Sequence, residues 1–286
     1  MIALCCPVCR ASVNDRGRCA GGHEFERRGG VLRLLDPAFR EQLERLECSL
    51  RGLRQADGKR VEDPARFDGL PFDLADADPE WALRAADAVN VARLLPAGRS
   101  LDVLDIGAWN GWLSHRLAAL GHSVVAVDYF ADEFDGLGAR MHYSSDFCAI
   151  QMDLADLSVL QREFDLVVVN HGLAFFGDPL LHLRNAHAKL RTGGQLAVLG
   201  LQFFRDPRAR QEHVLRMRRR YRERHGTELF FRPTRAYLDW QDKTACERAG
   251  LVLRAYRHLW HRNAVSRLRP QRPFYCWGVM TANRPH

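Results

Sequence analysis

Lysine is scarce in this chain. It occurs at Lys59, Lys189 and Lys243 alone, so arginine carries nearly all of the positive charge. The formal net charge is +7, a surplus that favours polyanions weakly and identifies none. No run of 18 uncharged apolar residues occurs, so no transmembrane helix and no membrane partner are indicated. The opening MIALCCPVCR lacks the basic region and apolar stretch of a secretory signal, and the expected location is cytoplasmic. Internal repeats and low-complexity tracts are missing too. So is the G-x-G-x-x-G turn that a dinucleotide fingerprint requires.

What is present suffices for one large domain with a small appendage: 286 residues, 47% of them hydrophobic. Four of the eight cysteines lie within the first 19 residues. In a chain of this kind such a cluster points to metal before disulfides, and the four scattered cysteines read as small buried residues. Cys6-x-x-Cys9 is followed by Cys19-x-x-x-His23, with Pro7 suiting a tight knuckle and Gly21 and Gly22 a second turn. Three thiolates and an imidazole fit tetrahedral zinc. Cys5 is a spare thiol that could replace Cys6, although Cys6 fits the Cys-Pro-x-Cys knuckle. The segment up to about residue 36 holds few apolar residues. A structural zinc, at roughly 10–16 kcal/mol, would hold what burial could not. Four protein ligands close the metal's shell, which makes its role structural.

The most informative stretch is LDVLDIGAWNGWLSHRLAALGHSVVAVD, Leu101 to Asp128. It reads as strand, tight turn, helix and strand, with a carboxylate at the second strand's end. That is the nucleotide-binding βαβ pattern: helix N–H groups face a negative group, and the terminal acid accepts from ribose hydroxyls. The spacing Asp105-x-Gly107-x-x-x-Gly111 resembles motif I of the class I S-adenosylmethionine (SAM) methyltransferases, written D/E-x-G-x-G-x-G. Trp109 stands at that motif's middle glycine. The resemblance implies a seven-stranded Rossmann-like α/β sheet and a SAM site. Its residues would be Asp105, Gly107, Ala108, Trp109, Gly111, the ribose acid Asp128, Tyr129 near the adenine, Met152, Asp153 and Asn170. Asp153 also reads as the N-cap of a helix over LADLSVLQREF. The combination DPEW (Asp78–Trp81), LDVLDIGAWNGWLSHRLA, DGLGA and HY (His142–Tyr143), over roughly residues 78–200, further resembles a bacterial methyltransferase type 11 group carrying G-A-G-N-G-W-L-S. The segment CPVC, C-x-x-x-H-E-F, Gly30 and Leu34-Leu35 is similar to the zinc ribbon of bacterial large-subunit rRNA guanine-N1 methyltransferases.

The rest of the chain fits this organisation. Residues 1–36 form the ribbon, and 37–98 a helical connector covering the cofactor cleft. The methyltransferase domain occupies 99–286. FCAIQMD, FDLVVVNHG and QLAVLGLQFF read as further strands. DPLLHLRNAHAKLRTGG reads as a helix closed by glycines, TRAYLDWQDKTACERAGL as the last large helix, and LVLRAYRHLW and PFYCWGVMTA as a terminal strand pair. The fourth strand ends in Asn170 and His171, at the edge where open parallel sheets bind ligands. These two are the candidate catalytic residues, His171 as a general base. About 203–234 is an insertion rich in arginine, among them Arg205, Arg208, Arg210, Arg218, Arg219 and Arg220, which reads as an acceptor-binding lid.

Three functions stand. The first is methyl transfer to a small-molecule acceptor, including an acidic one. The second is methylation of an rRNA or tRNA base, with the ribbon and the arginine-rich insertion gripping RNA. The third is a non-catalytic methyltransferase-like partner subunit, suggested by Trp109 in the glycine position. Oligomeric state is not encoded in any feature of the sequence.

Overall fold

The computed structural model describes residues 2–282. They fall into two compact units that divide between Val167 and Val168.

The first unit opens with a short antiparallel pair, β1 (Leu4–Cys5) and β2 (Ser12–Val13). A second hairpin, β3 (Arg27–Arg28) and β4 (Val31–Leu34), turns through Gly29 and Gly30, both at positive φ. A two-residue Gly-Gly loop matches the twist of the flanking strands. Helix α1 (Pro37–Ala56) begins where the Asp36 carboxylate accepts from the Ala38 and Phe39 N–H groups. A loop with two short 3-10 turns leads to α2 (Pro79–Ala92), capped by Asp78. Then come β5 (Asp102–Ile106), α3 (Trp112–Ala119), β6 (Ser123–Asp128) and β7 (Cys148–Met152). β5, β6 and β7 are parallel neighbours, with Ile106 opposite Val127 and Asp128 opposite Gln151. Parallel strands joined by crossovers bring their carboxyl ends to one edge.

β4 lies beside β7, parallel to it, with Val31 opposite Ala149 and Leu34 opposite Met152. All four of its residues are buried. The end of the N-terminal segment is therefore a strand of the main sheet. It covers an edge that would otherwise expose unpaired backbone groups.

The unit boundary falls inside β8 (Phe164–Val169), apolar apart from Asp165. The second unit contains α4 (Pro179–His187), β9 (Leu190–Phe204), α5 (Arg208–His225), β10 (Leu238–Asp239), α6 (Trp240–Arg248), β11 (Val252–Ala255), α7 (Trp260–Leu268) and β12 (Phe274–Thr281). β12 pairs antiparallel with both β9 and β11, and β10 pairs parallel with the end of β9. No helix among the described residues is long and apolar enough to cross a membrane.

Four elements differ from the sequence expectation. Gly193 and Gly194 lie inside β9 instead of closing a helix, because Gly193 N–H and Gly194 C=O bond Ala282 across the ladder. The last large helix starts late, at Trp240: Leu238 and Asp239 pair with Phe203 and Phe204, and Asp239 then caps α6 with Asp242 in a capping box. α7 interrupts the terminal strand pair. Its Asn263 both donates to the Tyr275 carbonyl and accepts from the Tyr275 N–H, a local link that periodicity does not reveal. No helix follows Asp153. A single 3-10 turn, Leu157–Val159, forms there, and the Asp153 carboxylate accepts from the Ala155 N–H and the Tyr129 hydroxyl instead.

Leu34 has no exposed surface. Leu34→Ala is expected to cost about 2–5 kcal/mol in the main thermal or urea transition, as for other large-to-small core changes. An unchanged main transition would mean that β4 is dispensable to the sheet.

Candidate functional site

The turn between β5 and α3 is rich in left-handed backbone. Gly107, Trp109 and Gly111 all have positive φ, at 73°, 52° and 82°. Gly107 and Ala108 donate to the Val127 carbonyl at 2.9 and 3.2 Å, which ties the turn to β6. At Gly111 a side chain has no room, since a Cβ would fall 2.6 Å from the Phe147 ring. Asp105, fully buried, accepts from the Ser114 hydroxyl at 2.7 Å and so joins β5 to α3.

Trp109 is the unusual member. A left-handed conformation costs a residue with a Cβ about 1–2 kcal/mol. The indole offsets this by stacking on Trp81 of α2, with centroids 5.4 Å apart and planes 29° from parallel. The Arg84 and Arg54 guanidiniums lie 4.8 and 4.9 Å from its centroid, contacts of about 0.5–2 kcal/mol each. Burial pushes the Arg84 guanidinium pKa below its ordinary value. The ring is therefore held by α1 and α2, and the backbone N–H is left pointing at Asp128.

That N–H donates to the Asp128 Oδ2 at 2.7 Å, and Phe130 N–H donates to Oδ1 at 3.0 Å. Burial pushes the Asp128 carboxyl up to about 6, against these hydrogen bonds, which pull it down. A folded-state value above the ordinary 3.8 means that protonation favours the fold. This contribution is complete below pH 3.8 and is lost as pH rises through about 6. At neutral pH the buried charge costs roughly 3 kcal/mol. The loop after Asp128 is clamped to α1 and its neighbours. Ala131 N–H donates to Glu47 at 2.6 Å. Asp132 pairs with Arg51 and Arg60, and Asp135 with Arg54 and Arg60.

The structure links Trp109 to Asp128, and Tyr129 to Asp153 through a 3.2 Å hydrogen bond. Met152 is fully buried, so its side chain belongs to the core. Cys6, Cys9, Cys19 and His23 converge, with all four ligand atoms within 4.8 Å of one another. The Cys9–Cys19 sulfurs are 3.5 Å apart, and His23 Nδ1 lies 3.6 Å from Cys6 Sγ and 3.4 Å from Cys19 Sγ. Cys5 points elsewhere, toward the Ser158 carbonyl at 3.7 Å.

In the second unit, Asn170 is buried and His171 has a positive φ of 56°. The His171 ring rests on the α-carbon of Gly200: a Cβ there would meet the ring's Nδ1 at 2.3 Å. Gly200 sits in a β-bulge. Val198 opposes Gly278 and Leu201 opposes Cys276, so Leu199 and Gly200 together face Trp277. The Gly200 N–H is released from the ladder and donates to the Tyr256 hydroxyl at 2.9 Å. Next to the bulge lies a cavity of about 110 Å³. Its polar lining is His171, Gln202, Arg210 and Tyr237, set among residues such as Phe175 and Leu201.

Arg54 and Arg84 as supports of Trp109, and Tyr256 as the bulge's anchor, escaped sequence reasoning. Gly200 did carry a signal, because a lone glycine inside a strand pattern marks a bulge.

A family description reading "Methyltransferase domain" matches residues 81–253. A protein named ubiquinone biosynthesis O-methyltransferase, from Xanthomonas axonopodis pv. citri (strain 306), is 36% identical over 142 residues, 46% of this chain and 57% of that relative. The chain thus spans little more than half the length of that curated relative. Among solved structures, one assigned as a sarcosine dimethylglycine methyltransferase from Galdieria sulphuraria superposes with a TM-score of 0.52. It is 12% identical and covers 82% of this chain and 98% of that one. The N-methyltransferase NodS from Bradyrhizobium japonicum WM9, in complex with S-adenosylhomocysteine, gives 0.46 at 16% identity, over 86% and 99% of the two chains. The first of these structural likenesses shows the fold alone: α/β, Rossmann-like, with a mostly parallel central sheet.

Gly200→Ala forces a Cβ into the His171 ring and keeps a φ of +67°. It is expected to cost about 2–4 kcal/mol of stability. The double variant Gly200→Ala/His171→Ala should recover part of this loss in a double-mutant cycle. Strict additivity would show that the ring and the bulge are independent.

Proposed function

The chain belongs to the methyltransferase-domain family, and we propose that it is a SAM-dependent methyltransferase whose acceptor is a small molecule. The observation that carries the cofactor assignment is the buried Asp128 carboxylate at the end of β6, held by the Trp109 N–H. SAM, when bound, supplies a methyl group already activated on a positively charged sulfur. The chain's own residues bind and orient it. Asp128 would accept from the ribose hydroxyls, and Gly107, Ala108 and Gly111 would let backbone approach closely. Asp153, with Tyr129 bonded to it, would take the adenine side. Asp105 acts through Ser114 by bracing the turn.

For the acceptor we assign the cavity beside Gly200. His171, pressed on that glycine, is suited to take a proton from an acceptor atom at a fixed position, and Asn170 precedes it. Positioning and exclusion of water account for much of such a reaction, so His171 is assigned first to orientation and second to proton removal. The relative named as a ubiquinone biosynthesis O-methyltransferase supports a small acceptor.

Two other readings lose support. In the arginine-rich stretch, Arg208 pairs with Asp206, Arg216 with Glu212, and Arg218 and Arg222 with Glu228. These four arginines share three carboxylates, so most of their charge is offset locally, which weakens an RNA footprint. The reading as a non-catalytic subunit rested on Trp109, whose ring packs on Trp81 and whose backbone takes the glycine's place beside Asp128.

The four-residue cluster fits zinc. Bonds of about 2.3 Å from a tetrahedral ion separate thiolates by about 3.7 Å, close to the spacings found. The role is structural. The ribbon docks within its own unit through Arg10 on Asp156 at 2.7 Å and a Leu4–Leu160 bridge.

Two measurements test these assignments. S-Adenosylhomocysteine affinity by isothermal titration should be flat above pH 6 and fall about tenfold per unit below it, as Asp128 takes up a proton. Asp128→Ala should abolish most binding and flatten the profile. Binding indifferent to both pH and Asp128 would refute the cofactor assignment. Elemental analysis should find one zinc per chain, lost together with thermal stability in Cys9→Ser/Cys19→Ser. A metal-free wild type indifferent to chelators would refute the zinc assignment.

A further inference from the structure

We infer that the cavity beside Gly200 receives an acceptor bearing an oxyanion, a carboxylate or phosphate, and that Arg210 is the residue that reads it. The inference rests on this cavity being the acceptor site. Arg210 lies in the first turn of α5 and contributes to the cavity wall. Its side chain is half-buried, and burial pushes its pKa down with only Tyr275 acting in the other direction. Among the described residues no carboxylate pairs with it.

The neighbouring carboxylates are already engaged. Asp206 accepts two hydrogen bonds from the Arg208 guanidinium, at 2.9 and 2.7 Å. Asp239 and Asp242 are held by Arg235 at 3.0 and 2.7 Å. A guanidinium does not shed its proton under these conditions. Half-burying one without a counter-ion is unfavourable, and the fold gains nothing from it. A ligand oxyanion would satisfy it in a bidentate, charge-assisted pair. The other polar groups on the wall, from His171, Gln202 and Tyr237, complete a mixed lining. The volume of about 110 Å³ is below the roughly 150 Å³ of a cavity that holds benzene, so the part of the ligand it encloses is no larger than one ring. Arg210 is therefore a specificity residue: it selects acceptors by charge while the apolar wall selects by size.

The test uses benzoate, phenyl phosphate and the neutral isostere benzamide. Each is titrated into the full chain saturated with S-adenosylhomocysteine, for wild type, Arg210→Gln and the cavity-filling Ala174→Trp. One or both oxyanions should bind wild type at least about tenfold more tightly than benzamide, and Arg210→Gln should remove that preference. Which of the two binds better identifies the carboxylate or phosphate source. Arg210→Gln should leave benzamide and S-adenosylhomocysteine affinities unchanged and should not lower the melting temperature, which a purely structural arginine would. Equal binding of benzoate and benzamide, both blocked by Ala174→Trp, would overturn the inference and leave the acceptor cavity standing. Failure of all three probes at about 10 mM would overturn the cavity as well. Loss of S-adenosylhomocysteine binding by the wild type would instead strike the cofactor assignment.

Discussion

The hydrogen bond from the Trp109 N–H to the Asp128 carboxylate, 2.7 Å long, is the interaction on which the first unit's site depends. It requires Trp109 in a left-handed conformation, and the surrounding structure supplies the compensation. Trp81 stacks on the indole, Arg84 and Arg54 flank it, and Arg54 also pairs with Asp135 in the loop after β6. One arginine of α1 thus touches both the strained turn and the loop beyond Asp128. The result is a carboxylate kept out of water at a cost to stability, an arrangement typical of sites that bind ligands.

The second unit repeats the logic with different parts. A bulge at Gly200 frees one backbone N–H for Tyr256 and opens space for the His171 ring. Both His171 and Gly200 adopt left-handed conformations, and the cavity lies beside them. In each unit left-handed backbone lies beside the side chain proposed to act, Asp128 in the first and His171 in the second, and such strain is often stored at binding sites.

Much of this was legible in the sequence. Motif spacing located the turn from Asp105 to Gly111 and the acid Asp128, because βαβ geometry ties a glycine turn to a carboxylate one strand later. The spacing of Cys6, Cys9, Cys19 and His23 anticipated their convergence. Contacts between residues far apart in the chain were not legible. Nothing in the sequence pairs Arg54 with Trp109, or sends Val31 to Leu34 alongside β7. α7 was hidden because its larger apolar residues, Trp260, Val265 and Leu268, are exposed and outline no buried helical face. In place of the helix expected after Asp153 there is a loop with one 3-10 turn, Leu157–Val159.

The most direct measurement is a crystal structure of the full chain with S-adenosylhomocysteine. The ribose hydroxyls should lie within hydrogen-bonding distance of the Asp128 carboxylate, with the Trp109 ring still stacked on Trp81. A ligand bound away from Asp128, or an indole swung off Trp81 into the ligand's place, would contradict the reading of this turn as a cofactor cradle with its tryptophan packed inward.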